Sequence, residues 1–207
     1  MNQPGGQRKR DGRQRRRELC DAAIQVLAEQ GSRGLTHQQV DRCAGVPDGT
    51  TSYYYRTREA LLRGVGGRVA DIDTENLRSI TDDATRSETP FGRLAHLVML
   101  QADGQGLHLN KARLELMLAA TRDPALADTS RDFIARVNDM ARDAIAELRP
   151  ESDKAVLEAQ ATALMTFIAG MFTRFAAGDR TATSAEHLER LMQAIVSGLA
   201  APDVDAE

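Results

Sequence analysis

Leu35-Thr36-His37-Gln38-Gln39-Val40-Asp41-Arg42-Cys43-Ala44-Gly45-Val46-Pro47-Asp48-Gly49-Thr50-Thr51-Ser52-Tyr53-Tyr54-Tyr55 is the stretch on which the fold turns. Thr36 is a good N-cap, and Gln39 stands three residues on, the capping-box spacing. Val40, Cys43 and Ala44 fall on the inward face of this short helix, and Gly45 ends it. Val46 fills a turn, and Pro47 opens a further short helix over 47–55. Upstream, Leu19, Ala23, Val26 and Leu27 recur at helical spacing across 16–30, with Gly31 as a stop. Three short helices joined by tight turns describe a helix-turn-helix domain.

Downstream the pattern stays helical. A helix runs from about 57 to about 80. Pro90 starts another, with Leu94, Leu97, Val98 and Met99 apolar, and a short one covers 110–121. Pro124 opens a long amphipathic helix in which Phe133, Ile134, Val137, Met140, Ala141, Ala144, Ile145 and Leu148 hold the 3–4 spacing until Pro150. The helix 153–177 is apolar nearly all round from Ala161 to Phe172, and 184–200 carries Leu188, Leu191, Met192, Ile195 and Leu199. No sustained strand alternation and no internal repeat is present. The expected class is therefore all-α: a three-helix head and a larger helical body, about nine helices in all. The loop 81–89, rich in Thr, Asp and Ser, is the expected mobile segment.

Composition agrees. Of 207 residues 42% are apolar, but only 4% are aromatic and none is Trp, which suits helix packing. The net charge of −3 conceals an asymmetry. Residues 1–63 hold twelve Lys/Arg against seven Asp/Glu, and the remainder fifteen against twenty-three. A basic head on an acidic body points to a polyanion partner at one end. The densest segment, Arg8 to Arg17, carries seven positive charges and only Asp11 against them, so residues 1–12 are expected to be a disordered basic arm. No run reaches 18 apolar residues, which argues against a membrane span, and the basic start leads into no apolar stretch of a signal peptide. Two Cys, both placed on inward faces of head helices, form no disulfide framework and fit a reducing cytoplasm.

Enzyme chemistry has little support. Gly64-x-Gly66-Gly67 follows a helix and not a strand, so it reads as a softened joint between head and body and not as a phosphate loop. His37, His96, His108 and His187 share no metal-ligand spacing, and no nucleophile motif is present. No catalytic residue, metal or cofactor is assigned.

Gly31, Leu35-Thr36, Val40, Ala44-Gly45-Val46, Tyr53-Tyr54-Tyr55 and Arg58-Glu59-Ala60-Leu61-Leu62 together resemble the DNA-binding domain of the tetracycline-repressor-like (TetR/AcrR) transcriptional regulators, over about 50 N-terminal residues. The spacing to Arg56-Thr57-Arg58-Glu59 fits that family without a gap. Where the family shows Leu-Tyr-Tyr-His-Phe, this chain reads Thr51-Ser52-Tyr53-Tyr54-Tyr55. Thr51 replaces an apolar residue, so the third helix packs more loosely or uses Tyr55. Residues 112–127 also resemble the ligand-domain region of some members.

The resemblance implies a dimeric regulator, a repressor released by a small molecule, with a basic arm (1–12), a DNA-binding domain (13–63), a ligand-binding and dimerisation domain (64–200) and a tail (201–207). The expected partners are double-stranded DNA carrying a pseudo-palindromic operator, a second copy of the chain and a small-molecule effector, in the cytoplasm and with no membrane. At the recognition helix Pro47, Asp48, Gly49, Thr50 and Ser52 are placed to meet base edges, with Asp48 either accepting from cytosine or capping its own helix. Thr36, His37 and Gln38 on one flank, and Tyr53, Tyr54 and Arg58 on the other, are the phosphate contacts. Leu164, Ile168, Met171, Phe172, Leu188, Leu191 and Ile195 are the candidate dimer interface, because an apolar helix must be buried on two sides. His96, Met99, Asp103, Arg113, Met117, Thr121, Phe133 and Val137 are the candidate ligand pocket. Two alternatives remain: the same head without a small-molecule effector, and a helical interaction protein whose basic tail meets acidic protein or RNA.

Overall fold

The structure is a computed structural model that describes residues 4–82, 89–151, 153–182 and 184–199. Among them are ten α-helices and no strand: α1 (Pro4–Gly34), α2 (His37–Cys43), α3 (Thr50–Tyr54), α4 (Arg58–Asp82), α5 (Pro90–Met99), α6 (Gly104–Ala120), α7 (Pro124–Ala127), α8 (Arg131–Leu148), α9 (Lys154–Ala176) and α10 (Ala185–Gly198). A 3-10 turn, Asp128–Ser130, joins α7 to α8.

The caps written in the sequence set most starts. Thr36 Oγ1 accepts the Gln39 N–H at 3.2 Å, and Thr89, Asp123, Asp153 and Ser184 cap α5, α7, α9 and α10 in the same way. The other half of the expected capping box is missing, since Gln39 Oε1 accepts from Arg42 at 2.9 Å while its amide N–H donates to Gln30 Oε1 at 3.1 Å. Pro124 opens a single turn and not the long helix, which begins at Arg131. Pro47 lies outside α3: its carbonyl accepts the Thr50 N–H at 3.1 Å, so residues 47–49 are turn. The backbone is helical from Pro4, inside the segment expected to be disordered. Gln and Arg are good helix formers and carry it back from the packed part of α1. The side chains of Arg8, Lys9 and Arg10 lie outside the described residues, as does most of the loop expected to be mobile.

The chain forms two compact units. One falls within Met1–Asp73 and His108–Arg131, the other within Thr74–Leu107 and Asp132–Glu207. The packing boundary thus lies near residue 73 and not at 63, and the first unit takes a second, distant stretch. Its core joins Leu19, Ala23 and Leu27 of α1 to Leu35, Val40, Leu61 and Val65, and it is completed by Leu109, Ala112, Leu116 and Leu126. The core of the second unit is built from Leu94, Leu97 and Val98 of α5, Val137 and Ile145 of α8, Leu164, Ile168 and Phe175 of α9, and Leu188, Met192 and Val196 of α10. Each fully buried Leu contributes about 1.5–3 kcal/mol.

Helix α4 runs unbroken through Gly64, Gly66 and Gly67. A Cβ at Gly64 would stand 2.5 Å from the Tyr55 ring, and one at Gly66 would stand 2.6 Å from Thr129 Oγ1 and 2.7 Å from Leu126 Cδ1. These two glycines permit close packing; they are not the softened joint that the sequence predicts.

Candidate nucleic-acid interface

Helix α3, the expected recognition helix, is short, and its surroundings hold it. The turn before α3 places Gly49 at φ 88°, a left-handed conformation that favours glycine. Glycine has no side chain with which to cap the helix. The cap comes from α2 instead: the Asp41 carboxylate takes the Gly49 N–H on Oδ2 at 2.8 Å and the Thr51 N–H on Oδ1 at 2.7 Å. Asp48, expected either to read a base or to cap its own helix, is exposed, and Asp41 takes the capping role. Thr51 is 0% exposed with its hydroxyl on Asp41, so it is neither an exposed polar residue nor a loosening of the helix.

At the other end of α3, Tyr55 is buried with its hydroxyl 3.1 Å from Cys20 Sγ. Burial raises both the thiol and the phenol above their ordinary values, so both stay protonated at neutral pH. The Arg16 guanidinium lies 5.4 Å from the centroid of the Tyr54 ring and 5.5 Å from that of Tyr55, and it donates to the Tyr54 carbonyl at 3.1 Å. The His37 Nε2–H donates to the Tyr55 carbonyl at 2.7 Å. Cys43 is exposed, against the inward placement read from the sequence. Its neighbour Val40 takes the core position, and Asp41 fills the adjoining buried one.

All eleven candidate DNA-contact residues lie in the first unit. Thr36 and Gln38 are exposed at the start of α2, and Pro47, Asp48, Gly49, Ser52 and Tyr53 are exposed on the turn and on α3, Tyr53 at 79%. Tyr54 is half-buried, edge-on to Tyr53 at 5.1 Å between ring centroids. Besides His37, Gly49 and Tyr54, whose partners are given above, two more have structural partners that the sequence did not reveal. The Thr50 hydroxyl donates to the Pro47 carbonyl at 2.6 Å, leaving its methyl and oxygen lone pairs for a base edge. Arg58 donates to the Ser32 carbonyl and Oγ, both at 2.7 Å, where α1 kinks at Gly31. Ser32 N–H in turn donates to Glu115 of α6 at 3.0 Å. Nearby, Arg63 makes a bidentate pair with Asp123 at 2.8 and 3.0 Å and holds its carboxyl below the usual range.

The pocket residues divide between the units. His96, Met99, Asp103, Phe133 and Val137 belong to the second; Arg113, Met117 and Thr121 belong to the first. Val137 is core, Met99 and Phe133 pack on the core, and His96 Nδ1–H donates to the Gly92 carbonyl at 2.9 Å. Asp103, Met117 and Thr121 are exposed. Arg113 pairs with buried Asp73 at 2.6 Å, a partner that sequence spacing could not show. The interface residues also divide. Leu164, Ile168, Met171 and Leu188 are buried in the chain's own core, Phe172 packs against it, Ile195 is half-buried and Leu191 is exposed. One chain thus covers the wide side of α9 by itself. Helix α9 is long and apolar enough to cross a membrane by length and composition alone, yet its apolar side lines this core.

A family model described as the C-terminal part of BetI-type transcriptional repressors matches residues 92–201, more than half of the chain. The chain belongs to the TetR family of transcriptional regulators. Among TetR-family relatives, the HTH-type transcriptional regulator BetI of Cronobacter sakazakii is 27% identical over 168 residues, spanning 78% of this chain and 79% of that protein. A transcriptional regulator from Saccharomonospora viridis, solved in complex with choline, shares the fold with a TM-score of 0.71 at 18% identity, over 89% of this chain and 96% of that one. The multidrug binding protein EbrR, complexed with imidazole, matches with a TM-score of 0.58 at 21% identity, over 87% and 94%. As a TetR-family member the protein is a DNA-binding transcriptional regulator.

Proposed function

We propose that this regulator is a cytoplasmic homodimeric repressor, without catalytic activity, that reads a pseudo-palindromic operator through α2 and α3 and is released by a small organic molecule. The head carries this conclusion: a braced α3 presents Gly49, Ser52 and Tyr53 to solvent beside a basic α1. The N-terminal residues of such a helix meet base edges, and Thr36, Gln38 and Tyr53 flank them for phosphate. Arg58 is the weakest of the proposed phosphate contacts, because its guanidinium already holds Ser32.

A face left over on the last two helices supports the dimer. On α9, Thr162, Thr166, Ala169, Gly170 and Thr173 are exposed, and the three Thr hydroxyls donate to carbonyls four residues back at 2.8, 2.8 and 3.1 Å. That face is small and spends its donors internally, which suits close helix–helix approach. Leu191 of α10 and Leu199 just after it add exposed apolar area. The interface proposed here is this face with Leu191 and Ile195; Leu164, Ile168, Met171 and Leu188 support it from beneath. The choline and imidazole seen in two fold neighbours support a small organic effector, with differential affinity for the two states as the physical requirement.

Footprinting on the DNA upstream of the protein's own gene, with and without choline or imidazole as first probes, tests this. Protection of a two-fold symmetric site is expected. Equal binding to every duplex would refute the regulator reading, and a monomer on the operator would refute the dimer.

A further inference from the structure

We infer that Asp41 is a positioning residue for DNA recognition: from α2 its buried carboxylate fixes the start of α3, and Thr51 is its dedicated partner. The inference rests on the proposal that α3 reads DNA.

Helix α3 has five residues, too few to hold itself together, since a helix this short has not repaid its nucleation. Its cap residue, Gly49, offers no side-chain acceptor. The amide donors at its start would be orphans. Asp41 removes that deficit from outside the helix. Its backbone carbonyl accepts the Val46 N–H at 3.0 Å, which closes the turn after α2. Its Oδ2 accepts the Gly49 N–H at 2.8 Å. Its Oδ1 accepts both the Thr51 N–H at 2.7 Å and the Thr51 hydroxyl at 2.5 Å. One residue therefore ties the turn, the cap residue and the first turn of α3 to α2. Asp41 is 1% exposed and Thr51 is 0% exposed, so the bonds are shielded from water, and losing an acceptor there leaves donors unsatisfied.

The pairing also accounts for the departure at residue 51. The family pattern has an apolar residue there, which fills space but exerts no directional hold. Thr51 fills the same space and adds a hydroxyl bond whose geometry fixes the rotation of α3 about its axis. Ser52 and Tyr53, the exposed residues that follow it, inherit that rotation.

The test uses the full chain and a duplex carrying its own operator, found by footprinting. Thr51→Val keeps the shape and removes the hydroxyl; Thr51→Ser keeps the hydroxyl and removes a methyl; Asp41→Asn puts an amide group where the carboxylate took two sides of the turn. Thr51→Val should bind the operator roughly tenfold more weakly, because α3 is no longer held in its reading rotation before it meets DNA, with non-specific DNA binding little changed and Tm lower by about 3–12 °C for the lost buried hydrogen bond. Thr51→Ser should recover most of that loss, which a purely space-filling role would not permit. Asp41→Asn should lose operator preference and show faster amide hydrogen exchange at Gly49 and Thr51. Operator affinity for Thr51→Val equal to wild type, or no better affinity for Thr51→Ser than for Thr51→Val, would overturn the inference. The same result would follow if Asp41→Ala/Thr51→Leu bound as wild type, since apolar filling would then suffice. Failure of the wild-type chain to prefer any duplex is a different outcome, which removes the DNA-reading proposal on which the inference stands.

Discussion

Removing the Arg113 side chain tests the first unit where it is most exposed to electrostatic failure. Asp73 is 3% exposed, and Arg113 reaches it with Nη2 2.6 Å from Oδ1 and Nε 3.3 Å from Oδ2. In Arg113→Ala the carboxylate stays in its buried place and loses that charge. Breaking a buried pair from one side costs about 3–5 kcal/mol. In a chain of this length each kcal/mol moves Tm by about 2–4 °C, so a fall of about 6–20 °C is expected. The pH dependence separates this from simple loss of packing. Burial dominates at Asp73 and raises its carboxyl above the ordinary value, with Arg113 pulling the other way. The folded chain therefore holds the Asp73 proton more tightly than the unfolded chain. The stability so gained is complete below the unfolded value, about 3.9, and is lost as pH rises through the folded one. Without Arg113 the folded value climbs further, so the deficit of Arg113→Ala should widen between about pH 4 and pH 7. Adding Asp73→Asn should recover most of it at neutral pH. Thermal unfolding followed by far-UV circular dichroism at both pH values reads all three proteins. A deficit below about 1 kcal/mol, the range of exposed pairs, or one that is equal at both pH values, would refute the reasoning.

Leu191→Asp should give a folded monomer by sedimentation, whereas Ile168→Asp should unfold the chain, because Ile168 is core; a folded dimer of normal affinity from Leu191→Asp would move the interface elsewhere. Deleting residues 1–12 should weaken DNA binding at low salt and flatten the slope of log K against log salt by about 1–3 per arm while leaving the preferred sequence alone; an unchanged slope would make the arm a bystander. Tyr53→Phe should lower affinity for all duplexes alike, by about 1 kcal/mol, and site selection from a random pool that returned a new consensus would instead make Tyr53 a base reader.

The caps and stops are legible because they are local. Thr36 and Gly31 in the head and Pro90 in the body each act within a few residues of where they stand. What was illegible is non-local. An Asp one residue after Val40 looks like a surface position until α3 folds over it, and Asp48 stands nearer the helix, so sequence spacing points to Asp48 and not to Asp41. Thr51 gave the one available signal, a polar residue in an apolar slot, which asks for a buried partner. Arg113 and Arg58 read as ligand and phosphate contacts because their partners, Asp73 and Ser32, lie 40 and 26 residues away. Helix α9 read as doubly buried because hydropathy counts its Ala, Gly and Thr with its Leu and Phe; only the packed structure separates the bulky inner side from the small outer one.

The core of the first unit takes Leu109, Ala112, Leu116 and Leu126 from a stretch that lies far along the chain. A graft that carried residues 13–63 onto another body would thus arrive with part of its interior open to water, and without Glu115 and Asp123 to receive Ser32 and Arg63. Anyone building chimeric regulators from this protein must cut at four places rather than two, transplanting 108–131 as the missing wall. For the same reason, an insertion within that distant stretch should destabilise the first unit, although none of its candidate DNA contacts falls within 108–131.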